Sequence, residues 1–339
     1  MAYLAQKFLP WGIPEDATKR DYLSTLPSEF LAKIIQLLPV HTLGRVAQLS
    51  RFFYGLATPA LYKEDARSKW PMSILSAALY VTTTEATEKF VIKMLDLAVT
   101  YGGDVNRVYR RRDSGSFTPL HLAAAKGNRV AVEKLLQLGA NPNALGKHLL
   151  YNPLFSQGPS AVAPGTINLL HVLSARQREE FTNDAKLRLY FRDYPELINV
   201  PMMAGLTPLF FSLECGNEIA FKEIMANGGN IENVNQTGRT PLMQAIIHYC
   251  SSEDEELQER YKEIIEHMIE TCNAKVGNLN DANVLETPLI CAIKAIPTPL
   301  PVDWKYIIRN VDEMVKLLID HGADINELSN TGFTLLHVL

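Results

Sequence analysis

The stretch FTPLHLAAAKGNRVAVEKLLQLGANPN, Phe117 to Asn143, reads as helix, turn, helix and extended finger. Thr118 is a hydroxyl cap, and Pro119 fits the first helical turn, where a missing N–H costs nothing. Ala123 and Ala124 are small enough to let a neighbouring helix approach closely, and Gly127 ends the first helix. Val132, Leu135, Leu136 and Leu138 give the second helix an apolar stripe, and Gly139 is a natural left-handed cap. Ala140-Asn141-Pro142-Asn143 then turns the chain outward into the finger.

This unit recurs. Thr207-Pro208-Leu209, Thr240-Pro241-Leu242 and Thr287-Pro288-Leu289 repeat its opening, and Asn168-Leu169-Leu170-His171 and Thr334-Leu335-Leu336-His337 are weaker copies. Its finger returns at Gly103-Asp104-Val105-Asn106, Gly229-Asn230-Ile231-Glu232 and Gly322-Ala323-Asp324-Ile325-Asn326. Thr207 to Thr240 is 33 residues, whereas Thr240 to Thr287 and Thr287 to Thr334 are 47 each. The pattern resembles the ankyrin repeat over roughly residues 73–339, the two longer spacings being one repeat plus an insertion. The implied fold is all-α: an ankyrin-repeat solenoid of helix pairs with β-hairpin fingers, of about six units. A lone helix pair cannot bury its faces, so the faint copies at Ser73–Asn106 and Asn168–Asn199 are expected to complete the stack. The final stretch, Thr334 to Leu339, is one helix into a repeat. An incomplete last unit, or a helical tail that frays, is the expectation there.

Residues 1–70 do not fit the repeat. They carry nine Lys/Arg and six Asp/Glu, net +3, against 24 and 31, net −7, for the remainder. Residues 1–20 are read as an N-terminal extension, 21–70 as a small helical module and 71–339 as the array. Leu26 to Pro39 is one helix by its punctuation, with Pro27 at its start and Pro39 stopping it. Phe30, Leu31, Ile34, Ile35, Leu37 and Leu38 cover more than one of its faces. Thr42 can cap a second helix carrying Leu43, Val46 and Leu49; Ser50 begins a third with Phe52, Phe53 and Leu56; Thr58-Pro59 opens a fourth. The order Leu26-Pro27-x-Glu29-Phe30-Leu31, then Ile34, Leu38, Leu43, Val46, Leu49-Ser50-Arg51 and an aromatic pair is similar to the F-box. One departure is Phe53-Tyr54, standing where many F-boxes carry a tryptophan. An F-box before ankyrin repeats resembles a family common in fungi, in which Thr58 to Asp65 looks like the bridge between modules. A plain helical cap for the array is the alternative reading.

Composition closes off other classes. The 339 residues are 47% hydrophobic and 21% charged, which excludes a disordered chain. The formal charge of −4 argues against a general nucleic-acid binder, and no apolar run approaches the ~18–20 residues of a membrane span. Pro10 and Pro14 interrupt the N-terminal apolar stretch, so no signal peptide is expected and the chain is placed in cytoplasm or nucleus. Cys215, Cys250, Cys272 and Cys291 lack Cys-x-x-Cys spacing and read as small buried hydrophobes. His121, His171, His321 and His337 fall at fixed repeat positions, where the resemblance implies bonds to finger backbone. No zinc spacing, phosphate loop or nucleophile elbow is present; no metal, cofactor or catalytic residue is expected.

By resemblance, the chain is expected to be a monomeric substrate-recognition adaptor of a cullin-RING ubiquitin ligase. Leu26, Pro27, Phe30, Leu31 and Ile34 would meet a Skp1-type linker of the cullin complex, and the repeats would hold a target protein. An ankyrin scaffold without a ubiquitin role is the second reading. The finger from Asn106 to Thr118 is 12 residues, against 8 from Glu232 to Thr240, and carries Arg107, Tyr109, Arg110, Arg111 and Arg112. It suits an acidic or phosphorylated segment, or is merely solvated. Lys126, Gln236, Gln244 and Asn330 are further candidates on the fingers and first helices. The acidic run Ser251 to Glu256 and the insertion Pro297 to Trp304 depart from the plain repeat.

Overall fold

A computed structural model describes residues 27–49, 51–68, 71–80, 84–110, 116–147, 166–175, 188–202, 205–277, 283–296 and 305–337. The chain divides into two compact units, Met1–Ala144 and Leu145–Leu339. It is mostly helical. Among the described residues no helix is long and apolar enough to cross a membrane.

The first unit opens with α1 (Ser28–Gln36), α2 (Val40–Val46) and α3 (Arg51–Arg67), with α1 and α2 packed on α3. α2 begins directly after the extended Pro39, two residues before the expected cap at Thr42. The third and fourth helices expected from sequence are one: α3 runs through Pro59. A proline inside a helix costs about 3 kcal/mol, because a bond is lost and the ring crowds the carbonyl of the residue four before it. Here that residue is Gly55, with open space where a side chain would be. Phe53, Ala57, Leu61 and Asp65 fall every fourth residue along the buried face. Burying a Phe or Leu side chain is worth about 1.5–3 kcal/mol each, so packing outweighs the proline.

Two helix pairs follow: α4 (Met72–Leu79) with α5 (Glu85–Thr100), and α6 (Pro119–Lys126) with α7 (Arg129–Gln137). The faint first copy is therefore helical, as the stack required. Thr118 caps α6 in a reciprocal box: its hydroxyl oxygen accepts the His121 N–H, and its own N–H donates to His121 Nδ1 at 3.3 Å. Gly127 stops α6 at φ 66°, the left-handed conformation its position predicts. Asn128 caps α7 by accepting the Ala131 N–H at 3.0 Å, while its amide donates to Ala77 O at 2.9 Å and Tyr80 O at 2.7 Å. One side chain thus joins neighbouring repeats. The finger between the pairs is the hairpin β1 (Tyr109–Arg110) and β2 (Ser116–Phe117), with Tyr109 opposite Phe117.

The second unit contains the hairpin β3 (Gly146–Lys147) and β4 (Thr166–Ile167), then α8 (Leu169–Ser174) and α9 (Leu189–Asp193). The pairs α10 (Pro208–Glu214) with α11 (Glu218–Ala226) and α12 (Pro241–Ser251) with α13 (Glu255–Glu266) follow. The pair α14 (Pro288–Lys294) with α15 (Lys305–Asp320) is next, and Leu335–His337 forms a 3-10 turn. Phe191, Phe210, Phe211 and Phe221 are its largest fully buried side chains. Where β-hairpin fingers were expected before α12 and at Ser329–Phe333, the chain makes a turn held by two backbone bonds: Asn235 N–H to Arg239 O with Gly238 N–H to Asn235 O, and Ser329 N–H to Phe333 O with Gly332 N–H to Ser329 O. Asp254, inside the acidic run, caps α13 by accepting the Glu256 and Leu257 N–H groups. His171 reaches the next finger, its Nε2–H donating to Leu206 O at 3.2 Å.

Candidate functional site

The first surface lies on the N-terminal helices. Phe30, Ile34 and Leu37 follow the i, i+4, i+7 spacing of one helix face and are 60%, 48% and 86% exposed. Leu31 and Ile35, one position on, turn inward. Leu31 was expected on the outer patch and is 2% exposed; the phase of α1 against α3 assigns it to the core. Pro27 is exposed, and Leu26 lies outside the described residues. Leu49 and Phe52 are further exposed large apolar side chains of this module that sequence reasoning did not place outside.

The second surface is the lengthened finger, and much of it is turned to structural use. Arg107 Nη1 donates to Ala66 O at 3.4 Å, beside the C-terminal end of α3. Tyr109, expected among the target-binding residues, is 2% exposed; its hydroxyl donates to Pro71 O at 3.3 Å and its ring stacks on Phe117 at 5.6 Å. Burial pushes that phenol up to about 12. Arg107 ties the finger to α3, and Tyr109 ties it to the segment between α3 and α4. Arg110 is exposed; Arg111 and Arg112 lie outside the described residues. Lys126 is exposed at the end of α6.

In the second unit Gln236 is exposed on a finger turn. Gln244 is engaged rather than free: its Nε2 donates to Glu214 Oε1 at 3.0 Å and lies 3.0 Å from His248 Nε2. His248 sits 3.4 Å from the same Glu214 oxygen and stacks on Tyr261 at 5.3 Å. Tyr261 is anchored by its hydroxyl donating to Leu213 O at 2.6 Å. Asn330 donates to Val284 O at 2.6 Å and so fastens one finger to the preceding one. Trp304 and its insertion lie outside the described residues.

Two sets of contacts escaped the sequence. Asp65 is buried and accepts from Met72 N–H, Ser73 N–H and the Ser73 hydroxyl, so the last turn of α3 caps α4. Asn106 accepts the Asn141 N–H at 2.7 Å and donates to Gly139 O at 2.9 Å. Asn199 does the same in the second unit, to Asn230 N–H and Gly228 O, both at 2.8 Å. The recurring Asn at the end of each finger was the available signal. Among the described residues no group of His, Cys, Asp and Glu side chains could hold a metal ion.

Residues 23–67 match the F-box-like family, and residues 116–147 match the ankyrin repeat. Comparison with curated proteins finds no match. Among solved structures, the chain is similar to the ankyrin repeat domain of Bcl-3, described as a unique member of the IkappaB protein family. That likeness has 17% identity and a TM-score of 0.49, covering 78% of this chain and 92% of that one. The chain carries an F-box-like domain at 23–67 together with ankyrin-repeat structure. Both are families of binding modules.

Proposed function

We propose that this protein is a substrate-recognition adaptor of a Skp1–cullin–F-box type ubiquitin ligase. Residues 21–70 dock on the Skp1-type linker, and the repeats of 71–339, about six units, hold the target protein. The observation that carries the reading is the outward stripe Phe30–Ile34–Leu37 on a domain that matches the F-box-like family. A cap buries one apolar face against the array; α1 buries Leu31 and Ile35 and still presents a second face to solvent. Pro27 and, by resemblance, Leu26 extend that face. The chain's part in catalysis is proximity, holding a target close to a transferase on another subunit.

On the target side Arg110, Arg111 and Arg112 are the finger arginines offered to an acidic or phosphorylated segment, with Lys126 and Gln236 beside the first helices. The test of the adaptor is co-purification of the full chain with a Skp1-type linker and cullin. Wild type is expected to retain both, and Phe30→Ala with Ile34→Ala to lose both with the fold intact. Wild type that captures neither is the scaffold of the second reading.

A further inference from the structure

We infer that the exposed cations of the N-terminal helices steer the partner of the α1 stripe in, and that the partner surface bordering the apolar contact is acidic. The inference rests on the adaptor reading above. Between Pro27 and Phe53 the chain has Lys33, Arg45 and Arg51 against a single acid, Glu29, in a protein whose formal charge is −4. All three cations are exposed, and among the described residues none has an ion pair. Some described cations of the repeats are engaged with acids: Arg129 with Glu88 and Glu133, Lys134 with Asp96, Lys294 with Glu286. Two further acids of the module are engaged elsewhere. Asp65 caps α4 and Glu64 lies 3.8 Å from Arg67.

Lys33 Nζ stands 6.0 Å over the Phe30 ring, so one cation borders the stripe directly. Arg51 precedes the exposed Phe52, and Arg45 precedes the exposed Leu49 by four residues. A helical module that presents exposed apolar side chains and exposed cations complements an apolar groove bordered by carboxylates. Such charges act before contact. They raise the rate of encounter, while the apolar anchors set the rate of escape. The two groups of residues should therefore separate kinetically.

The experiment is rapid-mixing association of the full chain with a purified Skp1-type linker across a salt series. Wild-type association should slow about tenfold or more as the screening length shrinks from about 10 Å at 0.1 M salt to about 3 Å at 1 M. Lys33→Glu, Arg45→Glu and Arg51→Glu together should slow it about tenfold or more at low salt, with dissociation within about twofold. Glu29→Gln should speed it, and Phe30→Ala should act on dissociation instead. Binding at one rate across salt and across the charge variants overturns the steering and leaves the docking intact. A wild type that does not bind the linker overturns the docking and the steering with it. A dimer of the full chain that Phe30→Ala dissolves assigns the face to a second copy and also overturns the inference.

Discussion

The Asp65 carboxylate accepts the Ser73 hydroxyl at 2.6 Å and the Ser73 N–H at 3.0 Å, fixing the start of the first repeat to the end of α3. Its other oxygen accepts the Met72 N–H at 2.8 Å. The carboxylate also faces the positive end of the α4 dipole. Arg107 and Tyr109 close the same joint from the finger side.

Asp65→Ala leaves the buried Ser73 N–H and hydroxyl and the part-buried Met72 N–H without that acceptor. A buried donor left unsatisfied costs about 1–3 kcal/mol. The variant should lower the urea midpoint of the first unit and speed hydrogen exchange over Met72–Leu79, with Asp65→Asn falling between it and wild type. Exchange at wild-type rates in both variants would show that α4 starts without this cap.

Asn106 and Asn199 fill the same position in different repeats, each making one acceptor and one donor bond to the next finger. A net contribution of about 0.5–1.5 kcal/mol per bond predicts about 1–3 kcal/mol for each Asn→Ala. Asn106→Asp keeps the acceptor for Asn141 N–H and loses the donor to Gly139 O, so its cost should be smaller. Exchange at Asn141 N–H separates the two variants: fast in Asn106→Ala, slow in Asn106→Asp.

What was legible from sequence was local. Thr118-Pro119, Gly127 and Gly139 announce their helix ends because cap chemistry acts within four residues. The bonds of Asn106 were not legible, since Gly139 and Asn141 lie 33 and 35 residues away. Arg107 read as a recognition charge because its neighbours are arginines; its partner, Ala66 O, is 41 residues back. Pro59 read as a helix start because proline favours that position, and the buried face through Phe53, Ala57 and Leu61 overrode the preference. On α1 the surplus of apolar residues was visible, but which of Phe30 and Leu31 faces out depends on α3.

Gly238 has φ 74°, and a Cβ there would stand 2.8 Å from Asn283 O and 2.7 Å from Leu285 Cγ. Gly238→Ala therefore meets both a left-handed backbone and a fixed carbonyl, and should cost more than the ~1 kcal/mol typical of the backbone term alone. Gly139, at φ 89° with nothing within 4 Å, bears only the backbone term. Gly55, inside α3 with open space around it, should gain about 0.5–1 kcal/mol on replacement by Ala. Thermal melts of the three single variants should rank Gly55→Ala above wild type, then Gly139→Ala, then Gly238→Ala.

Burial pushes the thiols of Cys215, Cys250 and Cys291 from an ordinary 9.0 up to about 12. The folded chain thus keeps protons that the unfolded chain releases between pH 9 and about 12. Their contribution to stability is complete below pH 9 and falls as pH rises through that window. Buried Tyr249 and Tyr261 shift in the same direction and add to the loss. The urea midpoint should be lower at pH 10.5 than at about pH 8. In thiol labelling of the native chain the half-exposed Cys272 should react before buried Cys250 and Cys291. A midpoint that does not fall, or labelling in the reverse order, contradicts this burial.

Phe30 and Leu31 are adjacent in sequence and opposite in role, 60% and 2% exposed. Leu31→Ala removes a buried side chain and should destabilise the module by about 2–5 kcal/mol, the range for Leu→Ala in a core. Phe30→Ala removes little that the free chain buries, so its melt should stay within about 0.5 kcal/mol of wild type. At an interface the ranking reverses, because a central aromatic anchor is worth about 2 kcal/mol or more when a partner desolvates it. Phe30→Ala should therefore weaken capture of a Skp1-type linker about thirtyfold with the fold unchanged. Leu31→Ala should weaken capture only as far as it unfolds the module, and lowering the temperature should restore it. Equal loss of stability in the two variants would mean that α1 is rotated from the phase described. Unchanged capture by Phe30→Ala would remove the stripe from the docking face.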